Sequence, residues 1–348
     1  MLRSKLERAF RGFLRQDMRL TTQDGHPNIN DLWAVTKDLE ALKLNVKAFG
    51  YELARDLEAR LTASPVYTAE HVGLACKPAT QADIESRWYR YWTGQLKRQP
   101  VAHRKLWEFA YILQAFYEHG FLEAGRRVVG FGVGFEPLPS YFAAQGLEVL
   151  ATDLPNAEMA AAGWRESPAD SHRMRELHHP ELVDFGEFSS RVAHRHADMK
   201  ALPADLREYD ACWSACALEH LGSIQAGMDF IKASLETLRP GGLAVHTTEF
   251  NFLNDAETLD NWVTVLPQRK HFLSLADELR AQGHRVAPLD FDVGTGPIDR
   301  YIDIPPFEVE GTESFHAMWR EGWQRSHLKL AIDGFASTSF GIVIRKAG

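Results

Sequence analysis

Two short apolar runs and the residues that end them most constrain how this chain can fold. Residues 126–136 read Arg-Arg-Val-Val-Gly-Phe-Gly-Val-Gly-Phe-Glu, and residues 147–153 read Leu-Glu-Val-Leu-Ala-Thr-Asp. The first run closes on Gly130, Gly132 and Gly134; the second closes on Asp153. A helical stretch separates them, so the order is strand, glycine turn, helix, strand, acid. Glycines let a ligand approach the backbone closely, and a carboxylate past the second strand accepts hydrogen bonds from ribose hydroxyls. The pair of runs therefore predicts a nucleotide-binding half of a parallel sheet.

The rest of the chain fits that frame. From about residue 126 strands and helices alternate, with strands expected at 127–131, 147–152, 191–196, 209–214, 242–248, 285–291 and 338–345. Alternation of this kind predicts an α/β fold, a doubly wound seven-stranded Rossmann-like sheet with helices on both faces. Residues 1–120 read as a helical N-terminal region, with helices expected at 37–62, 80–97 and 102–120, and 121–348 as the sheet domain. Two connections, 155–190 and 292–337, are too long for plain loops and are expected to carry extra elements over the ligand face. At the N-terminus Leu2, Leu6, Phe10, Phe13 and Leu14 share a face, with Arg3, Arg8, Arg11 and Arg15 largely elsewhere. Such a helix either packs on its own domain or meets a membrane surface or an acidic partner. The aromatic run Trp88-Tyr89-Arg90-Tyr91-Trp92 reads either as core or as a stacking platform for a sugar or base.

Composition removes several classes. The chain has 348 residues and a formal net charge of -8, which gives no general attraction for a phosphate backbone. Its three cysteines make no disulfide framework, which points to a reducing compartment. No apolar run has the length of a membrane span and no secretory signal is visible, so a cytoplasmic location is the expectation.

The glycine turn alone suits a nicotinamide dehydrogenase or a methyltransferase. Later motifs separate them. Ala197-Asp198-Met199 follows the third strand, and Trp213-Ser214-Ala215-Cys216-Ala217-Leu218-Glu219-His220 spans and follows the fourth. Pro240-Gly241-Gly242 turns the chain into the fifth. Taken in order, over about residues 120–346, these resemble the class I S-adenosylmethionine-dependent methyltransferases. The resemblance implies that Gly132 and Gly134 flank the methionine part of the cofactor, with Asp153 and its neighbour Leu154 at the ribose. Asp198 and the Met199 backbone would hold the adenine, and Ser214 and Ala215 would lie where the methyl passes. The sequence departs from the family in two places. The usual acid before the glycines is Gly130, and the usual third glycine is Glu136. Glu136 either replaces that acid or faces solvent.

A narrower pattern is similar to ubiquinone-type and small-RNA 2′-O-methyltransferases. Those families carry Glu-x-x-Glu-His after the fourth strand, and the RNA enzymes add a downstream His-Phe. This chain has Cys216-x-x-Glu219-His220, then Glu249-Phe250-Asn251 and His271-Phe272. The resemblance implies a divalent metal (Mg, Mn or Zn) on Glu219, His220 and His271. Glu249 or Cys216 would complete its shell, or Cys216 is an ordinary buried thiol. Without a metal, His246 is a candidate general base beside Glu219, His220 and Glu249. The expected activity is O-methylation of a small polyhydroxylated molecule or saccharide. Two rivals stand beside it. One is RNA 2′-O-methylation, helped by a basic strip of Arg90, Lys97, Arg98, Arg104 and Lys105. The other is a methyltransferase-like binding protein without catalysis.

Overall fold

A computed structural model describes residues 24–30, 33, 39–62, 65–154, 170–305 and 327–348. The N-terminal amphipathic helix expected over residues 2–14, and parts of both long insertions, lie outside the described residues.

The chain divides into two compact units, Met1–Tyr51 and Glu52–Gly348. Helix α1 (Leu39–Thr62) runs across that division. The second unit contains, in order, β1 (Lys77–Pro78), α2 (Gln81–Glu85), α3 (Arg87–Gln95), α4 (Arg104–Glu118), β2 (Arg127–Phe131), α5 (Leu138–Ala144) and β3 (Glu148–Asp153). Then come α6 (Asp170–Glu176), α7 (Phe185–Arg191), β4 (Val192–His196), β5 (Tyr209–Ala215), a 3-10 turn (Leu218–His220), α8 (Ile224–Glu236) and β6 (Leu238–Asn251). The chain finishes with α9 (Arg269–Ala281), β7 (Arg285–Val286), α10 (Pro297–Arg300), β8 (Ile302–Asp303), β9 (Lys329–Ile332) and β10 (Phe335–Arg345).

The sheet is ten-stranded, with main order β4-β3-β2-β5-β6-β10-β9-β8. Strands β4, β3, β2, β5 and β6 are mutually parallel, and β10 runs antiparallel to β6. This is the doubly wound Rossmann-like arrangement expected from the sequence, with ten strands among the described residues where seven were expected, because short β1, β8 and β9 join β7 in extending it beyond β10. Chain direction places the carboxyl ends of β2, β3 and β4 at one end of a common edge and those of β5 and β6 at the other.

Alternation along the strands divides the core into two layers. Val128, Ala211, Trp213, Leu243, Val245 and Val343 face α3, α4 and α5, where Trp92, Trp107, Tyr111, Phe116 and Phe142 are buried. Val129, Phe131, Cys212, Ala244, Phe340, Ile342 and Ile344 face α8 and α9, with Ile231, Leu235, Phe272, Leu275 and Leu279. Trp88, Tyr89 and Trp92 are all buried, so the aromatic run of α3 is core. Because α3 and α4 share this core with the sheet, the division expected near residue 120 falls inside the second unit.

Two further expectations differ. The strand expected over 285–291 stops at Val286. Pro288 has no N–H to give to β10, and its carbonyl instead accepts from Cys76 N at 2.8 Å. The outer edge of β10 is thus tiled by short pieces: β9, then β1, then β7. The Pro240-Gly241-Gly242 turn is incorporated into the start of β6, with a register shift against β5 near Asp210.

Candidate active site at the carboxyl edge of the sheet

The glycine turn follows β2 directly. Gly132 sits at φ 63, in the left-handed region, and a Cβ there would lie 2.5 Å from that of Ala217 and 3.3 Å from Met199 Sδ. Only glycine fits both demands. Gly134 has open space where its side chain would be. Gly130, which replaces the usual acid, lies under Trp213: a Cβ would come within 2.3 Å of the indole. The indole in turn donates Nε1–H to Glu136 Oε1 at 2.5 Å. Glu136 is therefore buried beneath the turn and does not face solvent. Burial raises its carboxyl to about 7, and the Trp213 bond works against that rise.

Asp153 ends β3 beside the turn. It is buried, and burial raises its carboxyl to about 6 despite a neighbouring guanidinium. That guanidinium belongs to Arg173 of α6, whose Nη2 donates to Asp153 Oδ2 at 2.9 Å. The Leu154 N–H donates to Oδ1 at 2.9 Å. Arg173 also reaches the carbonyls of Val133 and Gly134, the latter at 3.2 Å. Asp198 is half-buried and accepts from the Lys200 N–H at 2.8 Å, while Met199 is buried against Gly132.

The other end of the edge is built around a charge cluster. Ala215 closes β5, and Cys216 follows at φ 48, strained for a residue with a side chain. Helix α4 supplies Glu108, fully buried, which accepts from Ser339 Oγ at 2.6 Å and from the Cys216 thiol at 3.1 Å. Lys105 Nζ lies 2.9 Å from Glu108 Oε2 and donates to the Ala215 carbonyl at 3.0 Å. Arg104 Nη1 lies 2.6 Å from Glu249 Oε1 and 3.3 Å from Glu108 Oε1, while its Nε is buried with no hydrogen-bond partner among the described residues. Glu249 accepts from Ser337 Oγ at 2.6 Å, and Glu219 from Thr248 Oγ1 at 3.1 Å. Burial pushes Glu108 up, but Lys105 and Arg104 overrule it and hold the carboxyl below its usual range. Burial raises Glu219, with His220 opposing and Glu249 adding to the rise. It also pushes the Cys216 thiol well up, helped by Glu108.

Several expected residues are elsewhere. His246 is fully buried on the α8 side, its ring nitrogens 2.8 Å from Ser214 Oγ and 3.0 Å from Ser234 Oγ. Burial lowers it to about 3. Both ring nitrogens are thus engaged by serine hydroxyls that link β5, β6 and α8. The first of these bonds holds the buried Ser214 side chain against His246 on the α8 side of the sheet. His271 accepts the Gln268 N–H at 2.9 Å through Nδ1 and caps α9. His220 bonds the Val263 carbonyl at 2.9 Å. Among the described residues, the group whose ligand atoms lie within 4.8 Å of one another is Cys216, Glu219 and Glu249. Neither histidine joins it. The expected basic strip is not assembled either: Arg104 and Lys105 turn into the charge cluster, and Arg98 pairs with Glu181 at 3.0 Å.

No family model and no curated protein matches this sequence. Solved structures do resemble the chain. One, from Galdieria sulphuraria, is assigned as a sarcosine dimethylglycine methyltransferase: 11% identity, 80% of this chain and 94% of that one, TM-score 0.44. An S-adenosylmethionine-dependent methyltransferase from Mesorhizobium loti shares 14% over 67% and 98%, TM-score 0.37. Phosphoethanolamine N-methyltransferase 2 of Haemonchus contortus, in complex with S-adenosyl-L-methionine, shares 15% over 68% and 52%, TM-score 0.41. Likenesses this loose say nothing about acceptor or metal.

Sequence reasoning passed over Glu108 and Arg173. A signal for the first was present: an acid between Trp107 and Phe109, three and four residues after two cations, in an otherwise apolar helix. Arg173 had none, since its partner Asp153 is distant in sequence and belongs to another element.

Proposed function

We propose that the chain is an S-adenosylmethionine-dependent methyltransferase that acts on a hydroxyl of a small polyhydroxylated molecule or saccharide. The observation that carries this reading is the cradle formed by the glycine turn and Asp153 at the carboxyl edge of the sheet. The positive φ of Gly132 turns the chain tightly, the place where a Gly134 side chain would stand is open to a ligand, and the Asp153 carboxylate ends the neighbouring strand. The donor set fits the cofactor: Asp153 for the ribose hydroxyls, the turn carbonyls for the amine, Asp198 and Met199 for the adenine. Bound there, S-adenosylmethionine would supply an electrophilic methyl whose leaving group is a neutral thioether, the C–S electron pair going to sulfur.

The chain then has to position a hydroxyl and take its proton. Glu219 is our choice of base, since it is buried with an upward-shifted carboxyl and held by Thr248. The acceptor O–H proton passes to Glu219 as the oxygen bonds the methyl carbon. The unpartnered Nε of Arg104 suits a second acceptor oxygen. A divalent metal fits this edge poorly. Arg104 already lies against Glu249, the Cys216 thiol resists ionisation, and the two histidines lie outside the group. No step is therefore routed through a metal.

The test is transfer of labelled methyl from S-adenosylmethionine to a panel of polyols, saccharides and catechols. Glu219→Gln should lower that transfer by about 10²–10⁴-fold, the usual worth of a positioned base. A chelator should leave the rate unchanged. Loss on chelation with recovery on zinc would return the metal to Cys216, Glu219 and Glu249. A chain that binds no cofactor would be the binding-protein alternative, and strongly salt-dependent RNA affinity would favour the RNA one.

A further inference from the structure

Arg173 lies where the cofactor has to bind. Its guanidinium donates to Asp153 Oδ2 at 2.9 Å, to the Gly134 carbonyl at 3.2 Å and to the Val133 carbonyl, and it rests 5.4 Å from the Phe135 ring. The residue is 4% exposed. These acceptors are the oxygens that a ribose diol and a cofactor amine would use on the reading above, on which this inference rests. S-adenosylmethionine is itself cationic at sulfur and at its amine. A retained guanidinium would compete for the same oxygens and repel the incoming charge.

The chain just after Arg173 is held by bonds that do not involve its guanidinium. One turn later the chain is fixed to α5: Ser140 Oγ donates to the Leu177 carbonyl at 3.1 Å and accepts from the His179 N–H at 2.9 Å. Leu177 is fully buried, so the anchor is firm. Upstream of that anchor, Glu176 places a carboxylate 3.5 Å from Arg173 Nη1. A second partner is therefore at hand when the first is taken away.

We propose that Arg173 is a tethered competitor of the cofactor: it closes the ribose carboxylate in the free protein and transfers to Glu176 when an adenosyl ligand enters. Two arrangements of one side chain then set how much of the protein is competent to bind, and apparent affinity falls by that fraction.

The probe is S-adenosylhomocysteine, titrated into the full-length protein by calorimetry, with stopped-flow association in parallel. Arg173→Ala should bind about tenfold more tightly and associate faster, the scale set by losing one charge-assisted bond between protein groups. Arg173→Lys, which keeps the charge but not the fork, should lie between. Glu176→Gln removes the second partner without touching the ligand and should weaken binding, which keeps the idea testable if Arg173→Ala does not fold. Unchanged or weaker binding by a folded Arg173→Ala would overturn the competitor role while leaving the cofactor assignment intact. Absence of binding by the native protein and every variant would overturn both.

Discussion

The two ends of the sheet's carboxyl edge solve different problems. At the β2 and β3 end the polar equipment is sparse: a glycine turn, Asp153, the buried Glu136 and a borrowed arginine. At the β5 and β6 end Glu108, Glu219 and Glu249 are buried beside a cysteine thiol and the half-buried Arg104 and Lys105, and hydroxyls of Thr247, Thr248, Ser337 and Ser339 surround them. A cofactor that brings its own hydrogen-bonding groups needs a cradle. An acceptor that has to lose a proton needs charges already arranged in a low-dielectric setting. The first end can be built from a continuous stretch of chain; the second is assembled from α4, β5, β6 and β10.

That difference predicts where each end breaks. The largest effect should come from Glu108→Ala. It leaves Lys105 without its carboxylate and weakens the hold on Arg104, and removing one member of a buried ion pair typically costs about 3–5 kcal/mol. Urea unfolding of the variant measures this. A loss under about 1 kcal/mol would mean that the cluster is looser and wetter than its distances imply.

Asp153→Ala should act on binding more than on folding. It removes the ribose partner and should weaken S-adenosylmethionine by about 2–3 kcal/mol. Part of that loss should be offset, because the same substitution releases Arg173 from the site. The double variant Asp153→Ala/Arg173→Ala therefore separates the two contributions. Strict additivity would show that the two residues do not share the site.

The contrast also explains what was legible in the sequence. Gly130, Gly132, Gly134 and Asp153 lie within one strand-turn-strand unit, so their spacing alone indicates a ligand cradle, and the sheet order follows from the alternation after residue 126. The charge cluster at the β5 and β6 end was partly legible. Cys216 and Glu219 follow β5, Glu249 lies near the end of the neighbouring parallel β6, and the three do converge. His220 and His271 follow the same segments, yet local bonds claim them: one meets a loop carbonyl, the other caps α9. His246 shows the limit of reading residue type alone. Alternation places its side chain on the α8 face of β6, where two serines take both nitrogens. Glu108 and Arg173 depend on pairings between distant elements, which no window of sequence contains.

The smallest expected effect concerns pH, and it should be confined to the cofactor end. Asp153 holds its carboxyl at about 6, raised by burial and lowered in part by Arg173. The ionised form accepts from ribose hydroxyls, so protonation competes with the ligand. The sign is then fixed: affinity is full above about 6 and falls as pH drops through that value. The limiting slope is tenfold per pH unit, about 1.4 kcal/mol. Glu136 lies close by and titrates near 7, so the native profile alone does not isolate Asp153. Asp153→Asn does, since it keeps the shape and deletes the titration between 6 and 5. Arg173→Ala sharpens the assignment further: losing the neighbouring cation should move the midpoint upward. Affinity that stays flat from pH 7 to pH 5 in the native protein would remove Asp153 from the ribose, and with it the division of labour between the two ends of the edge.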